Sequence, residues 1–390
     1  MIIAISLVKL PFSKPATEPN HFYTGAFTRM ALAAPQHQFV FITTDNNNEI
    51  QTLSTNTLTV ISQPKSDTIL FWKFWLDHTL PAILKKHKAD LLINLEEITS
   101  LRTNVPQLTF FKSLFSPMPD EFYAKRKYRF MKKYTAAFLQ RSSIIIANSF
   151  WLKNKMISGF KIDDRNIEVL YPGFDALYQP IPWNEKEILK QKYAEGKEYF
   201  LNNGSMGNKT QLLDLLKAFS VFKKRQKSNM QLIMVMPSPT EKNKVPENLK
   251  TYKYRTEVKI ITGLSNKEMA QLTAAAYAFV QPAADEQFPV ASLSAMQCEV
   301  PVITAKNNTA YEIFGDSALY TEAGNFDDIA DKMMLVFKDE NLRNDLIKKG
   351  KLSTTGYSIT KADRLLEQYI TKWIAGIPAN NTLVGQNFKK

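Results

Sequence analysis

Glu286 to Pro301 reads EQFPVASLSAMQCEVP. An apolar run, Ala278 to Gln281, precedes it, and another, Val302 to Thr304, follows it. The stretch opens on an acid and an aromatic and passes a helix-breaking Pro289. It then becomes a small-residue helix that closes on Cys298 and Pro301. A loop that leaves a parallel strand and ends on a helix N-terminus presents unpaired backbone amides, the natural seat of a phosphate. The reading is therefore strand, anion-binding loop, helix, strand.

Working outward, the same alternation continues in both directions. Tyr199 to Asn203, Gln231 to Met236, Val258 to Thr262, Val300 to Thr304 and Ala318 to Thr321 read as strands on this side of the chain. Helical periodicity is expected over Thr210 to Arg225, Asn266 to Ala276, Ala291 to Gln297, Phe326 to Phe337, Glu340 to Gly350 and Thr360 to Ile374. The first half repeats the pattern. Strands are expected at Met1 to Leu7, Gln38 to Thr43, Thr57 to Ser62, Ala89 to Asn94, Gln107 to Phe111, Ser143 to Ala147 and Asn166 to Leu170. Helices are expected at Phe22 to Ala34, Leu70 to Lys88, Glu121 to Arg141 and Phe150 to Ser158, the last with Ser149 as N-cap. Most of the strands are continuous apolar runs, as parallel sheets covered on both faces require. Tyr171 to Trp183, YPGFDALYQPIPW, is rich in proline and reads as the connection between two halves. The 390 residues are enough for two cores of ordinary size.

Composition narrows the class. Hydrophobic residues make up 44% of the chain, which excludes a disordered protein. One cysteine, Cys298, rules out an internal disulfide and fits a reducing compartment. Its apolar neighbours make it a small buried filler rather than a nucleophile. No apolar run approaches the roughly 20 residues of a membrane span. The opening MIIAISLVKLPF has no charged leader and reads as a first core strand, not a signal peptide. The expected location is the cytoplasm. Net charge is +13, and residues 101–150 carry nine basic and two acidic side chains. Lys125 to Lys133 interleaves cations with aromatics. One reading is a solvated helix with a core face. The other is attachment to the inner face of the cytoplasmic membrane, because anionic lipid attracts such a stretch. No nucleic-acid-binding motif accompanies the charge. The four histidines, His21, His37, His78 and His87, have no metal-ligand spacing, and no metal site is expected.

Four pieces of the second half, in order, resemble the nucleotide-sugar lobe of family 4 glycosyltransferases. They are Asn203-Gly204-Ser205 with Lys209; Val258 to Val280; Glu286 to Pro301; and Tyr311-Glu312-Ile313-Phe314-Gly315-Asp316-Ser317-Ala318. In the first half, SIIIANSFWLKNKMI and NIEVLYPGFD resemble the family's last units before its linker. The resemblance implies the α/β GT-B fold, two Rossmann-like doubly wound parallel-sheet domains facing across a cleft. The expected parts are an acceptor-side domain over 1–176 and a nucleotide-sugar domain over 177–358. A helix over 359–376 crosses back, and 377–390 form a flexible tail.

It also implies transfer of a sugar from a nucleoside-diphosphate donor to a glycan or lipid-linked acceptor. Retention, metal independence and a place in surface polysaccharide or lipopolysaccharide assembly come with the resemblance. The nucleoside-diphosphate sugar is a co-substrate and no cofactor is expected. Charge growing on the departing diphosphate must meet fixed donors and cations. Lys209 and the amides around Phe288, Pro289, Val290 and Ala291 would supply them. Glu286 would orient the donor sugar, and Gly204 and Ser205 would allow close approach. Asn208, Ser294 and Glu312 complete the donor side, while Lys112 and His21 stand on the acceptor side.

The chain departs from the family at several of these positions. Asn208 stands where the family has an arginine, Ser294 where it has a second glutamate, and Lys112 where it has a histidine. The glycine-rich loop after the first strand is missing. Asn cannot replace a charged planar fork, and a hydroxyl is a weaker ribose acceptor than a carboxylate. A protein that keeps the fold but has lost transfer, and binds a glycan or nucleotide or serves as the partner of an active enzyme, is the alternative reading.

Overall fold

The computed structural model describes residues 1–8, 18–44, 55–64, 68–114, 122–203, 209–236, 252–283 and 288–376. For residues 18–22, 122–127, 209 and 374–376 the backbone alone is described. The chain divides into two compact units, Met1–Pro172 with Thr360–Lys390, and Gly173–Ile359.

In the first unit the elements follow as β1 (Ile2–Ser6), α1 (Glu18–Ala33), β2 (Gln38–Thr43), β3 (Thr57–Ile61), α2 (Ile69–Phe74), α3 (Leu80–Lys86), β4 (Leu91–Asn94), β5 (Gln107–Phe111), α4 (Phe122–Arg141), β6 (Ile144–Ala147), α5 (Phe150–Phe160) and β7 (Ile167–Val169). The described strands form one sheet in the order β3-β2-β1-β4-β5-β6-β7, every neighbour parallel. Alternate side chains serve opposite faces. Phe111 joins Trp72, Trp75, Leu76, Phe130, Phe138, Leu152 and Met156 in the core under α2 to α5. Phe110 points the other way and meets Tyr23 and Phe27 of α1, with ring centroids 4.5 and 6.0 Å away.

The single helix expected over Leu70 to Lys88 is interrupted. Between α2 and α3 lies a π-helical turn, Trp75–Thr79. Pro81 explains it: proline has no N–H to donate to the carbonyl of Asp77, and its ring crowds that carbonyl, so the turn widens. Asp77 is buried in this turn, pairs with Lys73, and accepts from the amide of Leu101 at 2.9 Å.

The second unit runs α6 (Trp183–Ala194), β8 (Tyr199–Asn203), α7 (Lys209–Gln226), β9 (Gln231–Met236), β10 (Val258–Thr262), α8 (Asn266–Ala274), β11 (Ala278–Gln281), α9 (Val290–Gln297), β12 (Val302–Ala305), α10 (Asn308–Phe314), β13 (Ala318–Thr321), α11 (Phe326–Lys338) and α12 (Glu340–Thr354). Its described sheet has the order β10-β9-β8-β11-β12-β13, again all parallel. Leu212, Phe219 and Phe222 of α7 and Ile329, Met333 and Val336 of α11 bury one face. The second unit begins close against its own end. Phe174 bridges Ser358 in parallel, and its amide donates to Tyr357 O at 3.1 Å. The final helix, α13 (Ile359–Gly376), packs with the first unit, where Arg29 grips Asp363 at 2.6 Å and Tyr369 donates to Val169 O at 2.9 Å.

Three expectations need correction. Trp183, read as the end of a linker, starts α6. Tyr311 to Phe314, read as a turn, belongs to α10, and the turn begins only at Gly315, whose φ is +48°. Val300, read as strand, still closes α9 by donating to Ala295 O at 3.0 Å, after Glu299 turns left-handed at φ +59°.

Candidate functional site

In a doubly wound sheet the strand order reverses at one place, and the crevice beyond the carboxyl ends there is the usual ligand seat. In the second unit the reversal lies between β8 and β11. Asn202 pins the two strands together by donating to Val280 O at 2.7 Å and to Gln281 Oε1 at 2.8 Å. Helices start on both sides of this point, α7 after β8 and α9 after β11. Each contributes orphan amides and the positive end of its dipole.

The local chemistry of α9 favours an anion. Pro289 precedes the helix, offers no N–H, and no side chain among the described residues caps it. Val290 N turns back onto Phe288 O at 2.9 Å. The first-turn amides of Ala291 and Ser292 therefore point past the helix end. Phe288, Pro289 and Val290 are buried, so this turn is held rigidly. Lys209 is the first residue of α7. Its side chain, and all of Gly204, Ser205, Asn208 and Glu286, lie outside the described residues.

Ser294 lies one turn into α9 and is only 2% exposed. Glu312 is on α10, where Asn307 is the N-cap and accepts from Ala310 N at 2.7 Å, so Glu312 is not the cap. Burial, and then the nearby Glu312 carboxylate, raise the pKa of Tyr357. Sequence reasoning passed over three further groups at this edge. Ser292 Oγ, Thr304 Oγ1 and Asn307 Nδ2 are buried with no hydrogen-bond partner among the described residues. Only Asn307, two residues past β12, sat where a strand end gives a signal; Ser292 lies inside α9 and Thr304 inside β12.

In the first unit the reversal lies between β1 and β4. The loop after β4 carries Glu96 and Glu97. Glu97 Oε1 accepts from Lys112 N at 3.0 Å, Ser113 N at 2.7 Å and Ser113 Oγ at 3.1 Å. Lys112 Nζ lies 3.9 Å from Glu96 Oε1, and both side chains are mostly buried. Asn148 Nδ2 holds Lys112 O at 3.0 Å. Lys112, singled out in the sequence, is thus set among two carboxylates that were not. His21 lies within α1, where the backbone alone is described. Among the described residues no group of three or more His, Cys, Asp or Glu side chains is placed to hold a metal ion.

Two family descriptions divide the chain between them. "Glycosyltransferase Family 4" matches residues 29–176, and "Glycosyl transferases group 1" matches residues 184–353. The chain belongs to the family 4 glycosyltransferases. Its fold is GT-B. The Anabaena protein Alr3699/HepE, solved in complex with UDP, matches with a TM-score of 0.73 at 15% identity, over 95% of this chain and 99% of that one. The O-antigen chain mannosyltransferase RfbU of Salmonella typhimurium is 24% identical over 202 residues, 52% of this chain and 52% of that protein. The O-antigen chain mannosyltransferase B of Escherichia coli is 22% identical over 239 residues, 61% of this chain and 63% of that protein. The matched region thus spans about half to three-fifths of each curated relative's length. Among the described residues of this family 4 chain, no helix is long and apolar enough to cross a membrane.

Proposed function

We propose that this chain transfers a hexosyl group from a nucleoside-diphosphate sugar to a glycan or lipid-linked acceptor during surface polysaccharide or lipopolysaccharide assembly. The observation that carries the reading is the pair of helix starts, α7 and α9, flanking the strand reversal of the second unit. The O-antigen mannosyltransferases among its relatives and the UDP held by a structural neighbour agree with it.

In this reading the anomeric carbon–oxygen bond breaks and the electron pair leaves on the diphosphate. The acceptor hydroxyl bonds to the same carbon on the same face and gives its proton to the departing phosphate. Lys209 and the α9 amides hold the growing charge without a metal. Gly204 and Ser205 let the β8–α7 loop approach, with Asn208 beside them. Glu286 orients the donor sugar, Ser294 and Glu312 hold the nucleoside side, and Lys112 and His21 serve the acceptor. The Lys125–Lys133 stretch touches the anionic inner face of the membrane, where the acceptor is found.

The second reading, binding without transfer, draws on Asn208 and on the buried Ser294, because neither supplies the charge its family counterpart would. A panel of nucleoside-diphosphate sugars, screened by thermal shift and then by donor hydrolysis, separates the two. Stabilisation with turnover supports transfer. Stabilisation without turnover on any donor or acceptor extract supports binding alone, and no response to any donor or free nucleotide contradicts both nucleotide-based readings.

A further inference from the structure

Helix α2 shows water a face that a solvated helix would not. Leu70 is 76% exposed, Phe74 58% and Phe71 42%, while Trp72 and Trp75 on the other side are buried. The three exposed residues fall on one arc of the helix, since Leu70 and Phe74 are four apart and Phe71 and Phe74 three apart.

Cations surround this arc. Lys73 reaches across to α4 and lies 5.2 Å from the ring centre of Tyr134, and Lys133 lies 5.2 Å from the same ring. The outer face of α4 therefore abuts the arc, and it presents Arg129, Lys132 and Lys133 to solvent. No carboxylate occurs between Phe122 and Arg141. From Ile69 to Lys86 the only one is Asp77, which is buried and paired with Lys73. On the other side Phe74 stacks on His78 with ring centroids 4.7 Å apart, and exposed Arg102 bonds His78 Nε2 at 3.2 Å. Apolar side chains ringed by cations match a surface with anionic headgroups over hydrocarbon.

We propose that Leu70, Phe71 and Phe74 insert into the headgroup–acyl boundary of an anionic bilayer while Arg129, Lys132 and Lys133 lie on its phosphates. The inference rests on the reading of the basic α4 stretch as a membrane contact and adds the apolar anchor that adsorption alone lacks. The two parts differ in their response to salt. Adsorption fades as the screening length falls from about 8 Å at 0.15 M to about 3 Å at 1 M. Insertion of apolar area does not.

The test is co-sedimentation of the full chain with phosphatidylglycerol–phosphatidylcholine vesicles and with pure phosphatidylcholine vesicles, at 0.05 M and 0.5 M salt. Wild type should prefer the anionic vesicles and keep measurable binding at 0.5 M salt. Leu70→Ser/Phe74→Ser should lose about tenfold in high-salt partitioning. Lys132→Glu/Lys133→Glu should lose the anionic preference at low salt. If wild type fails to bind anionic vesicles at all, the membrane reading itself is wrong. If it binds at low salt and is fully released at 0.5 M, or if the double serine variant matches wild type there, adsorption stands and insertion is overturned. A variant that melts early is replaced by a direct readout. Phe71→Cys carries a polarity-sensitive fluorophore, because the buried Cys298 thiol does not label. Its emission should shift to the blue on anionic vesicles, and an unshifted spectrum overturns insertion.

Discussion

The two units share a plan and differ at their carboxyl edges. In the second, α7 opens on Lys209 and α9 opens behind a proline with no side-chain cap among the described residues, so the edge offers backbone amides. In the first, the backbone of α1 opens on Glu18. There the edge is furnished with side chains instead: Glu96, Glu97 and Lys112, locked by hydrogen bonds. One edge suits a diffuse polyanion, and the other suits hydroxyl groups that need placed donors and acceptors. In the transfer proposed above, the two edges would serve the two substrates.

The most drastic way to break the comparison is to attack the boundary that separates the units. A Cβ on Gly173 would fall against the backbone of Ser358 and lie 2.6 Å from Ile359 Cα. Because backbone cannot yield as a side chain does, Gly173→Ala should cost about 3 kcal/mol or more, seen as early melting. Unchanged melting would mean that the Phe174–Ser358 bridge does not hold the second unit shut.

A paired measurement sharpens the difference between the edges. Glu97→Ala strips the acceptor from two amides and a hydroxyl and should destabilise the chain by about 2 kcal/mol in denaturant titration. Ser292→Ala, which removes a buried hydroxyl without a described partner, should be neutral or stabilising by up to about 1 kcal/mol. Equal losses at both sites would erase the distinction between a side-chain edge and a backbone edge. The smallest effect concerns Cys298. Burial pushes its thiol up to about 12 from the ordinary 9.0, so the thiolate is scarce at pH 8. Ellman's reagent should titrate no thiol in the native chain and one in denaturant; a native reaction would mean that α9 opens.

Much of this architecture was legible in the sequence because parallel strands buried on both faces are continuous apolar runs, as at Ile144–Ala147 and Ala278–Gln281. The Ser149 cap was legible too, and it accepts from Leu152 N at 3.1 Å. The π turn before Pro81 was not, because a proline near the middle of an apolar helical run looks like a kink in any of several forms. Helix α6 was hidden by the prolines around it, since Pro182 reads as a break yet serves as the residue before the first turn. At the candidate site, the strand–loop–helix pattern pointed to the α9 turn, and the family resemblance pointed to Lys112. The partners of Lys112 escaped notice because Glu96 and Glu97 come from another strand end, and only the sheet order brings them together.

The proposed function depends on the starts of α7 and α9, with Lys209, forming a diphosphate cradle. The direct measurement is calorimetric titration of free nucleoside diphosphates and monophosphates into wild type and Lys209→Ala. Wild type should prefer one of the diphosphates to its monophosphate, and Lys209→Ala should bind this diphosphate about 10- to 100-fold more weakly while its monophosphate affinity changes little. Equal affinity of the two proteins for the diphosphate would contradict the cradle.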